Sequence, residues 1–169
     1  MVSFVEKNGQ LSRPQIGRLQ HIQEEIYRQM MLLMPDELGS EDAFRSQVEG
    51  SPALHLEILE RHAYTHFIRL TYVFEQERGD PVAPDAHIRL YQDARMAEVT
   101  AFNCDQGCKR IAHPWYPNRP MLQRLWRENT ALDKWLGYLL QQGHSFESMR
   151  PAKALSGVVE VAEAAVSVA

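Results

Sequence analysis

The spacing of apolar residues changes twice along this chain, from a helical repeat to an alternating repeat and back to a helical one. Such changes of period separate helices from strands. Ser12 is a candidate N-cap, Gln15 completes a capping box, and Pro35 ends the first helical segment. We therefore predict an amphipathic N-terminal helix. Its apolar stripe consists of Ile16, Leu19, Ile22, Ile26, Met30 and Leu33.

The middle of the chain has the period of two that is typical of half-buried strands. From Ala53, apolar residues alternate with polar ones, and a proline-rich loop is predicted at 79–86 (GDPVAPDA). Because strands joined by short connections pair antiparallel, we predict a meander. Its strands are expected around Phe44–Val48, from Ala53 through Ile58, and at Tyr64–Phe74, His87–Gln92, Arg95–Asn103 and Gly107–His113.

A second helical segment is predicted after Asn118, which is a candidate N-cap. Thr130 is expected to cap a fresh helical start, and Gly143 suits the position after the helix ends. The apolar stripe of this helix consists of Leu132, Trp135, Leu136, Leu139 and Leu140.

The order of helix, strands and helix predicts a single α+β domain over residues 1–150. We expect an antiparallel meander sheet of about five or six strands, flanked by an N-terminal and a C-terminal helix. Both helical stripes then pack on one face of the sheet, and the opposite face stays partly open. Residues 151–169 are rich in small side chains and are expected to form a tail, either a short helix or a mobile segment.

The segment Ile88–Val99 (IRLYQDARMAEV) predicts a β-hairpin that turns at Asp93-Ala94. In this register one face is mainly apolar, and on the other face Arg89 lies opposite Glu98. Opposite charges across a strand pair stabilise that register. The apolar pairs are Leu90 with Ala97 and Ile88 with Val99, and the polar face also pairs Tyr91 with Met96 and His87 with Thr100.

Polar and aromatic side chains are concentrated in this hairpin and in the loop that follows it. Two interpretations stay open. Arg89 and Glu98 form a structural ion pair and Asp93 forms the turn, or Arg89 presents its guanidinium to an anion between tyrosine walls. In the second interpretation the ligand-binding residues are Arg89, Tyr91, Asp93, Glu98, Tyr116 and Asn118.

Composition excludes several classes of protein. The net charge is −4, and no basic stripe of the kind that binds nucleic acid is present. The first ten residues lack the apolar core of a signal peptide, and no apolar run is long enough to span a membrane. The chain has 2 cysteines, too few for a disulfide framework. We expect a cytoplasmic protein that binds neither nucleic acid nor membrane.

Two weak arrangements of possible metal ligands occur. Cys104 and Cys108 have a C-x3-C spacing, but a zinc site needs about four ligands. His62 and His66 are four residues apart in a segment predicted to be a strand, where they share a face. We therefore expect no metal site and no cofactor.

The chain contains none of the nucleophile-elbow, P-loop or dinucleotide-binding motifs. Our first hypothesis is a non-catalytic binding or adaptor domain for a small anionic ligand or a protein partner. The alternative is a small hydrolase or phosphate-ester-binding enzyme, in which Arg89 holds the anion and Asp93 or Glu98 is the base. A third hypothesis is a subunit that buries its tail or helix faces against a partner. The oligomeric state is left open.

Several of these motifs together resemble DUF1249, the YqiB-like proteins, a small bacterial family of unknown function. Its pattern LCExNYxxLxxLLP is similar to Leu19–Pro35, a YT dipeptide matches Tyr64-Thr65, and VRLYHDAxxAEV is similar to Ile88–Val99. The YPN motif matches Tyr116–Asn118, and the ending NxFLxxWLxxxLxxG is similar to 129–143. The resemblance implies a cytoplasmic bacterial protein without an assigned activity.

The chain departs from that family pattern at Gln23 and Ile26, which replace a cysteine and an asparagine, and at two further places that matter for function. Gln92 stands where the family has a histidine, so no role of that histidine transfers to this chain. The acidic-basic DEK triplet that precedes the last helix of the family is absent between Asn118 and Asn129.

Overall fold

The computed structural model describes residues 13–36, 38–73, 82–103 and 121–155. Two long helices enclose five consecutive strands in the chain, and a sixth strand follows the second helix. The elements are α1 (Arg13–Leu33), β1 (Ala43–Ser46), β2 (Ala53–Arg61), β3 (Thr65–Val73), β4 (Val82–Tyr91), β5 (Met96–Asn103), α2 (Met121–Gln141), a 3-10 turn (Phe146–Ser148) and β6 (Met149–Pro151).

The strands form a six-stranded antiparallel sheet in the order β5-β4-β3-β2-β1-β6. Strands β1 to β5 are neighbours in the order of the chain, so the predicted meander is confirmed. After α2 the chain returns to the far edge of the sheet, where β6 pairs with β1. The predicted α+β fold, with an N-terminal and a C-terminal helix beside the sheet, is confirmed. Neither α1 nor α2 is long and apolar enough to cross a membrane.

Both helices bury most of their apolar stripes against one side of the sheet, which we call the helix side. Ile16, which was predicted to belong to the stripe of α1, is 49% exposed in the first turn of that helix. Ile26, Met30 and Leu33 of α1 are fully buried, as predicted from their spacing. Strand residues of matching parity complete the core. The fully buried large side chains of the other elements are Leu54, Leu56, Ile68, Leu70, Ile88, Leu90, Leu132, Leu136 and Leu139.

The predicted hairpin register is confirmed over four residue pairs. Tyr91 lies opposite Met96, Leu90 opposite Ala97, Arg89 opposite Glu98 and Ile88 opposite Val99. Four residues, Gln92 to Arg95, form the turn, and Arg95 has a φ of 52° in the left-handed region.

One pair beyond this, the prediction is wrong. A register shift between His87 and Ile88 places His87 opposite Ala101, whereas the sequence predicted Thr100 as its partner. A bulge of this kind adds a residue to one strand, which a pattern of alternating residues does not reveal.

Two element boundaries also differ from the sequence-based expectation. Helix α2 continues through Thr130 without a fresh start, because a threonine inside a helix is tolerated when tertiary packing supports it. The predicted loop at 79–86 gives way to strand at Val82, and Pro84 lies at a register shift between β3 and β4. Prolines in sheets occur at such irregular positions.

Strand β6 was not predicted. Ser12, Asn118 and the strand predicted at Gly107–His113 lie outside the described residues.

The outer side of the sheet, opposite the helices, is less open than expected at its centre. Glu57 and Thr71, which project from this side, are buried. The Leu155 backbone N–H donates to the Glu57 carboxylate, so the segment after β6 reaches this part of the outer side. The Ala152 N–H also donates to the Ala43 carbonyl, which extends the pairing of β6 with β1.

Arg69 is the centre of a largely buried charged triad on the outer side. Its Nε and Nη2 atoms lie 3.0 and 2.9 Å from the two Asp85 carboxylate oxygens, and Nη1 lies 3.7 Å from Glu57 Oε2. The hydrogen bond to Asp85 raises the pKa of Arg69. Burial of two carboxylates is tolerated here because one guanidinium faces both.

Candidate functional site

The outer side of the β4–β5 hairpin contains a cluster of polar and aromatic side chains, which we call the hairpin surface: Phe67, Arg89, Tyr91 and Glu98. The Tyr91 hydroxyl donates to Glu98 Oε1 over 2.8 Å, and Arg89 Nη1 donates to the Tyr91 hydroxyl over 3.3 Å. Arg89 Nη1 also lies 3.5 Å from Glu98 Oε1. The guanidinium carbon of Arg89 is 4.9 Å from the centre of the Phe67 ring, within the range of a cation–π contact.

The local sequence explains this arrangement. Arg89 and Tyr91 are two residues apart on β4 and therefore project from the same side. Glu98 lies opposite Arg89 on β5, and Phe67 lies opposite it on β3. The alternation that buries Ile88 and Leu90 on the helix side thus places the four residues of the hairpin surface on the outer side.

The opposite charges of Arg89 and Glu98 largely compensate each other on the hairpin surface. The hydrogen bond with Tyr91 raises the pKa of Arg89, and burial raises the pKa of the Tyr91 hydroxyl. The Arg89 side chain is 38% exposed and that of Glu98 is 25% exposed, so neither charge is removed from solvent. A guanidinium that already has a carboxylate and a hydroxyl partner offers less to a free anion than an unpaired one does.

The other predicted site residues do not join this cluster in the described structure. Asp93 is exposed in the turn, two residues past the end of β4, and makes no hydrogen bond or ion pair with the described residues. Tyr116 and Asn118 lie outside the described residues.

Two aromatic residues of this region were missed by the sequence analysis. Phe67 stacks on Arg89, and Tyr64 is 67% exposed in the β2–β3 connection. The Gln92 N–H donates to the Tyr64 carbonyl, so this connection lies beside the hairpin turn. Aligning β3 with β4 by their apolar residues would have placed Phe67 opposite Arg89.

The two candidate metal-ligating histidines point in different directions. His62 lies in the β2–β3 connection, where its Nε2 is 3.0 Å from Glu60 and its ring contacts Phe67 on the outer side. His66 belongs to β3 on the helix side, and its Nε2 is 2.7 Å from the Gln92 amide. The expectation that they share a face is wrong, because residue 62 is not in a strand.

No three histidine, cysteine, aspartate or glutamate side chains of the described ranges form a group that could hold a metal ion. Cys104 and Cys108, the other candidate ligands, lie outside those ranges.

A second polar cluster joins the end of α2 to the sheet. His144 is 1% exposed, and its Nδ1 and Nε2 lie 2.7 Å from Ser46 Oγ and 3.0 Å from Ser51 Oγ. Ser46 Oγ is also 2.6 Å from Ser148 Oγ, which donates to the Ser145 carbonyl over 2.8 Å.

The protons in this serine–histidine network can be assigned by following the donors. The Ser148 proton goes to a carbonyl, so Ser46 must donate to Ser148 and accept from His144 Nδ1–H. The neutral imidazole then accepts at Nε2 from Ser51. A histidine that acts as a general base must accept the proton of its serine. Here the Ser46–His144 bond runs in the opposite direction, and both side chains are buried, so the network is structural.

A cavity that the hairpin surface does not form lies elsewhere on the sheet. It has a volume of about 370 Å³ and lies at the β1–β6 edge. None of the six predicted site residues lines it. The residues that do are Arg45, Gln47, Ser148, Arg150, Pro151 and Ala152.

Comparison with known proteins supports the family resemblance and adds no activity. No curated protein and no solved structure gives a significant match to this chain. The sequence pattern of one family, described as "Protein of unknown function (DUF1249)", matches residues 29–145. The matched segment is well over half of the chain and includes β1 to β5 and all of α2. The chain therefore belongs to the DUF1249 family of proteins of unknown function.

Proposed function

We propose that this protein is a non-catalytic protein-binding or adaptor domain that recognises its partner through the hairpin surface and the adjacent Tyr64. The observation that carries this proposal is an Arg89 side chain held in place by Phe67, Tyr91 and Glu98, at an end of the sheet where the exposed Tyr64 accepts the Gln92 N–H of the hairpin turn through its carbonyl. Tyrosine and arginine are enriched in protein interfaces and contribute strongly to binding.

The fixed position of Arg89 favours binding to a protein partner. A long side chain normally loses conformational freedom when it binds, and this loss weakens the interaction. Three neighbours already restrict Arg89 in the free protein. The partner surface best suited to this site has an acceptor for the half-exposed guanidinium and an apolar patch for Tyr64.

A small anionic ligand at Arg89 has less support. Glu98 already balances the charge of Arg89, and the cavity at the β1–β6 edge is lined by other residues. An exposed aromatic side chain is typical of contact with another protein, whereas small ligands are usually bound in concave pockets.

The hydrolase alternative also has less support. Glu98 Oε1 accepts a hydrogen bond from Tyr91 and faces Arg89, so it is engaged as a structural acceptor. Asp93 lies in the turn, outside the cluster. We therefore give these carboxylates no catalytic role. We further propose that the protein is bacterial and acts in the cytoplasm, in line with the family resemblance and its low cysteine content.

Co-purification with surface variants tests the proposal. The tagged full-length chain, expressed in its own host, is compared with Tyr64→Ser and Arg89→Gln. Tyr138→Ser is the matched control, because Tyr138 is also exposed but lies on α2. We expect a partner that co-purifies with wild type and Tyr138→Ser, and that is depleted about tenfold or more with the two surface variants. Equal recovery with all four folded proteins would contradict the proposal.

A further inference from the structure

The last described residues of the chain, 144–155, lie along the β1 edge of the sheet, and we call this segment the strap. Its strand β6 pairs with β1 over three residues. Beyond β6, the Ala152 N–H donates to the Ala43 carbonyl, and the Leu155 N–H donates to the Glu57 carboxylate. The strap therefore continues from the β1 edge onto the outer side of the sheet, where it reaches β2.

Few buried groups attach the strap to the rest of the domain. Met149 is 4% exposed and packs in the core, whereas Phe146 is 39% exposed. Gly143 has a φ of 98° and separates the strap from α2, and glycine changes its backbone conformation at little steric cost. Segments with few buried apolar contacts open locally, at a lower free energy than the whole domain. We therefore expect the strap to leave the sheet more easily than any central strand does.

Strand β6 closes the β1 edge of the sheet. The Ala152 N–H points towards β1, so the main-chain groups of Met149 and Pro151 point away from it, because the direction alternates along a strand. The Met149 N–H donates to the Phe146 carbonyl, and proline has no N–H. The outer edge of β6 therefore presents no free N–H. Without β6, the edge of β1 would present a row of unpaired groups that can pair with another chain.

One buried attachment of the strap depends on a neutral histidine. His144 is 1% exposed, and in the neutral network its Nδ1–H donates to Ser46 while its Nε2 accepts from Ser51. Protonation places a hydrogen on both ring nitrogens, so Nε2 can no longer accept from Ser51. Protonation also buries a positive charge, which is costly unless an opposite charge lies nearby.

The described surroundings of His144 provide no opposite charge. Strand β1 contributes Ser46, with Ser148 behind it, and the β1–β2 connection contributes Ser51. Strand β3 contributes Tyr72, whose ring centre is 5.9 Å from that of the histidine, and burial raises the pKa of this tyrosine, so it stays neutral in acid. Burial alone lowers the pKa of His144, with no contribution from a described acidic or basic side chain.

We propose that protonation of His144 releases the strap from the sheet while the rest of the domain stays folded, so that acid uncovers the β1 edge and Glu57. Release exposes the imidazole to water, where its pKa returns to the ordinary value of 6.5. Because the pKa is lower in the attached form, the released form binds the proton more tightly, and acid shifts the population towards it.

The sign and the pH range of this effect follow from the two forms of His144. Above pH 6.5 the histidine is neutral in both forms, and the strap stays attached. Below pH 6.5 the ratio of released to attached molecules rises by up to about tenfold per pH unit. The rise ends when the pH reaches the lowered pKa of the attached form.

The strap is separate from the hairpin surface. Strands β6 and β1 lie at one edge of the sheet, whereas β4 and β5 lie at the other. The inference therefore goes beyond the proposed binding function and does not depend on it.

Amide hydrogen exchange of the full-length protein between about pH 7.5 and 5.5, corrected for the intrinsic pH dependence of exchange, tests the proposal. The Arg150 and Ala152 amides face β1 and report on the strap, and the Ile68 and Leu70 amides of β3 report on the domain. We expect the strap amides to exchange at least about tenfold faster than the β3 amides, because they open locally. Below pH 6.5 their protection is expected to fall by up to about tenfold per pH unit.

Three variants, each shown to be folded by circular dichroism, identify the group responsible. His144→Gln removes the titration, so strap protection is expected to vary much less with pH than in wild type. His66→Gln is the matched control, because His66 is also buried with a lowered pKa but contacts Gln92 at the hairpin turn. It is expected to keep the wild-type pH dependence at the strap. Met149→Val loosens the strap without changing the histidine, so it is expected to lower strap protection at every pH and to keep the pH dependence.

Several results would overturn the proposal. Equal exchange of the strap and β3 amides would show that the strap opens only together with the whole domain. Strap protection in wild type that stays constant below pH 6.5 would exclude release by acid. The same pH dependence in His144→Gln as in wild type, or its loss in the folded Met149→Val, would show that His144 does not control the strap.

Discussion

Ser46 and His144 are 98 residues apart in the chain, yet Ser46 Oγ lies 2.7 Å from His144 Nδ1. This bond connects β1 with the segment that follows α2, and Ser148 extends the connection to the start of β6. The serine–histidine network therefore holds the C-terminal part of the fold on the sheet.

Acid is expected to destabilise the protein through His144. Burial lowers the pKa of this histidine from its ordinary value of 6.5. Above pH 6.5 the histidine is neutral in both folded and unfolded chains, so its contribution to stability is complete. As the pH falls below 6.5 the unfolded chain takes up a proton first, and stability decreases until the pH reaches the lowered pKa of the folded state.

Thermal unfolding of wild type and His144→Gln across this pH range measures the effect. The variant is expected to be less stable at neutral pH and to lose less stability on acidification. Burial also lowers the pKa of His55 and His66, so some acid sensitivity is expected to remain in the variant. Identical pH slopes for the two proteins would contradict the role of His144.

Removal of Arg69 is expected to destabilise the fold strongly. Arg69→Met removes the guanidinium that binds both oxygens of the largely buried Asp85 carboxylate, and breaking a buried ion pair in this way costs about 3–5 kcal/mol. Chemical denaturation measures the free energy of unfolding. Arg28→Met is the matched control, because the Arg28 side chain is 67% exposed in its ion pair with Glu25. Its expected cost is about 0.5 kcal/mol or less. Similar losses for both variants would refute the importance of the triad.

Asn129 is expected to protect the β5 edge of the sheet. This buried residue of α2 accepts the Val99 N–H at 3.1 Å and donates to the Leu125 carbonyl at 2.7 Å. Asn129→Ala leaves the Val99 N–H without its acceptor, which costs about 1–3 kcal/mol.

Two measurements check this prediction. The free energy of unfolding should fall for Asn129→Ala and stay near the wild-type value for Arg127→Ala, an exposed control on the same helix. Amide hydrogen exchange should become faster at Val99 in the Asn129 variant. Unchanged exchange at Val99 would show that the asparagine is not its essential acceptor.

Substitution of Arg95 by glycine is expected to stabilise the hairpin. Arg95 has a φ of 52°, and it is the non-glycine residue with positive φ in the described part of the chain. A side chain at positive φ strains the backbone, and Arg95→Gly removes this strain. Glycine loses more backbone entropy on folding, so the expected net gain in the free energy of unfolding is about 0.5 kcal/mol. Ala94→Gly, in the same turn, is expected to lower stability instead. A lower melting temperature for Arg95→Gly would contradict this reading of the turn.

The Arg89–Glu98 pairing could be predicted because both residues and the turn between them lie in one short segment of the sequence. One hairpin supplies both charges and both apolar pairs, so the alternation of residues determines which side chains share a side. The positions of Phe67 and Tyr64 relative to the hairpin could be predicted only from the register of β3 with β4 and from the β2–β3 connection. The predicted α+β meander succeeded for the same reason, since each strand pairs with the next one in the chain.

The cavity at the β1–β6 edge could not be predicted in the same way. Arg45 and Arg150 come together only because the chain returns to the first strand after α2. Strand β6 has three residues and includes Pro151, so it lacks a recognisable alternating pattern. The serine–histidine network likewise depends on this long-range return of the chain.

Site-specific photocrosslinking tests the proposed binding function most directly. A photoreactive phenylalanine analogue replaces Tyr64 in one variant of the full-length protein and Tyr138 in another, and both are irradiated in the native host. The proposed function predicts a discrete adduct of one size from position 64 that disappears when Arg89→Gln is added, with no such adduct from position 138. The same adduct from both positions, or no adduct from position 64 in a folded protein, would contradict it.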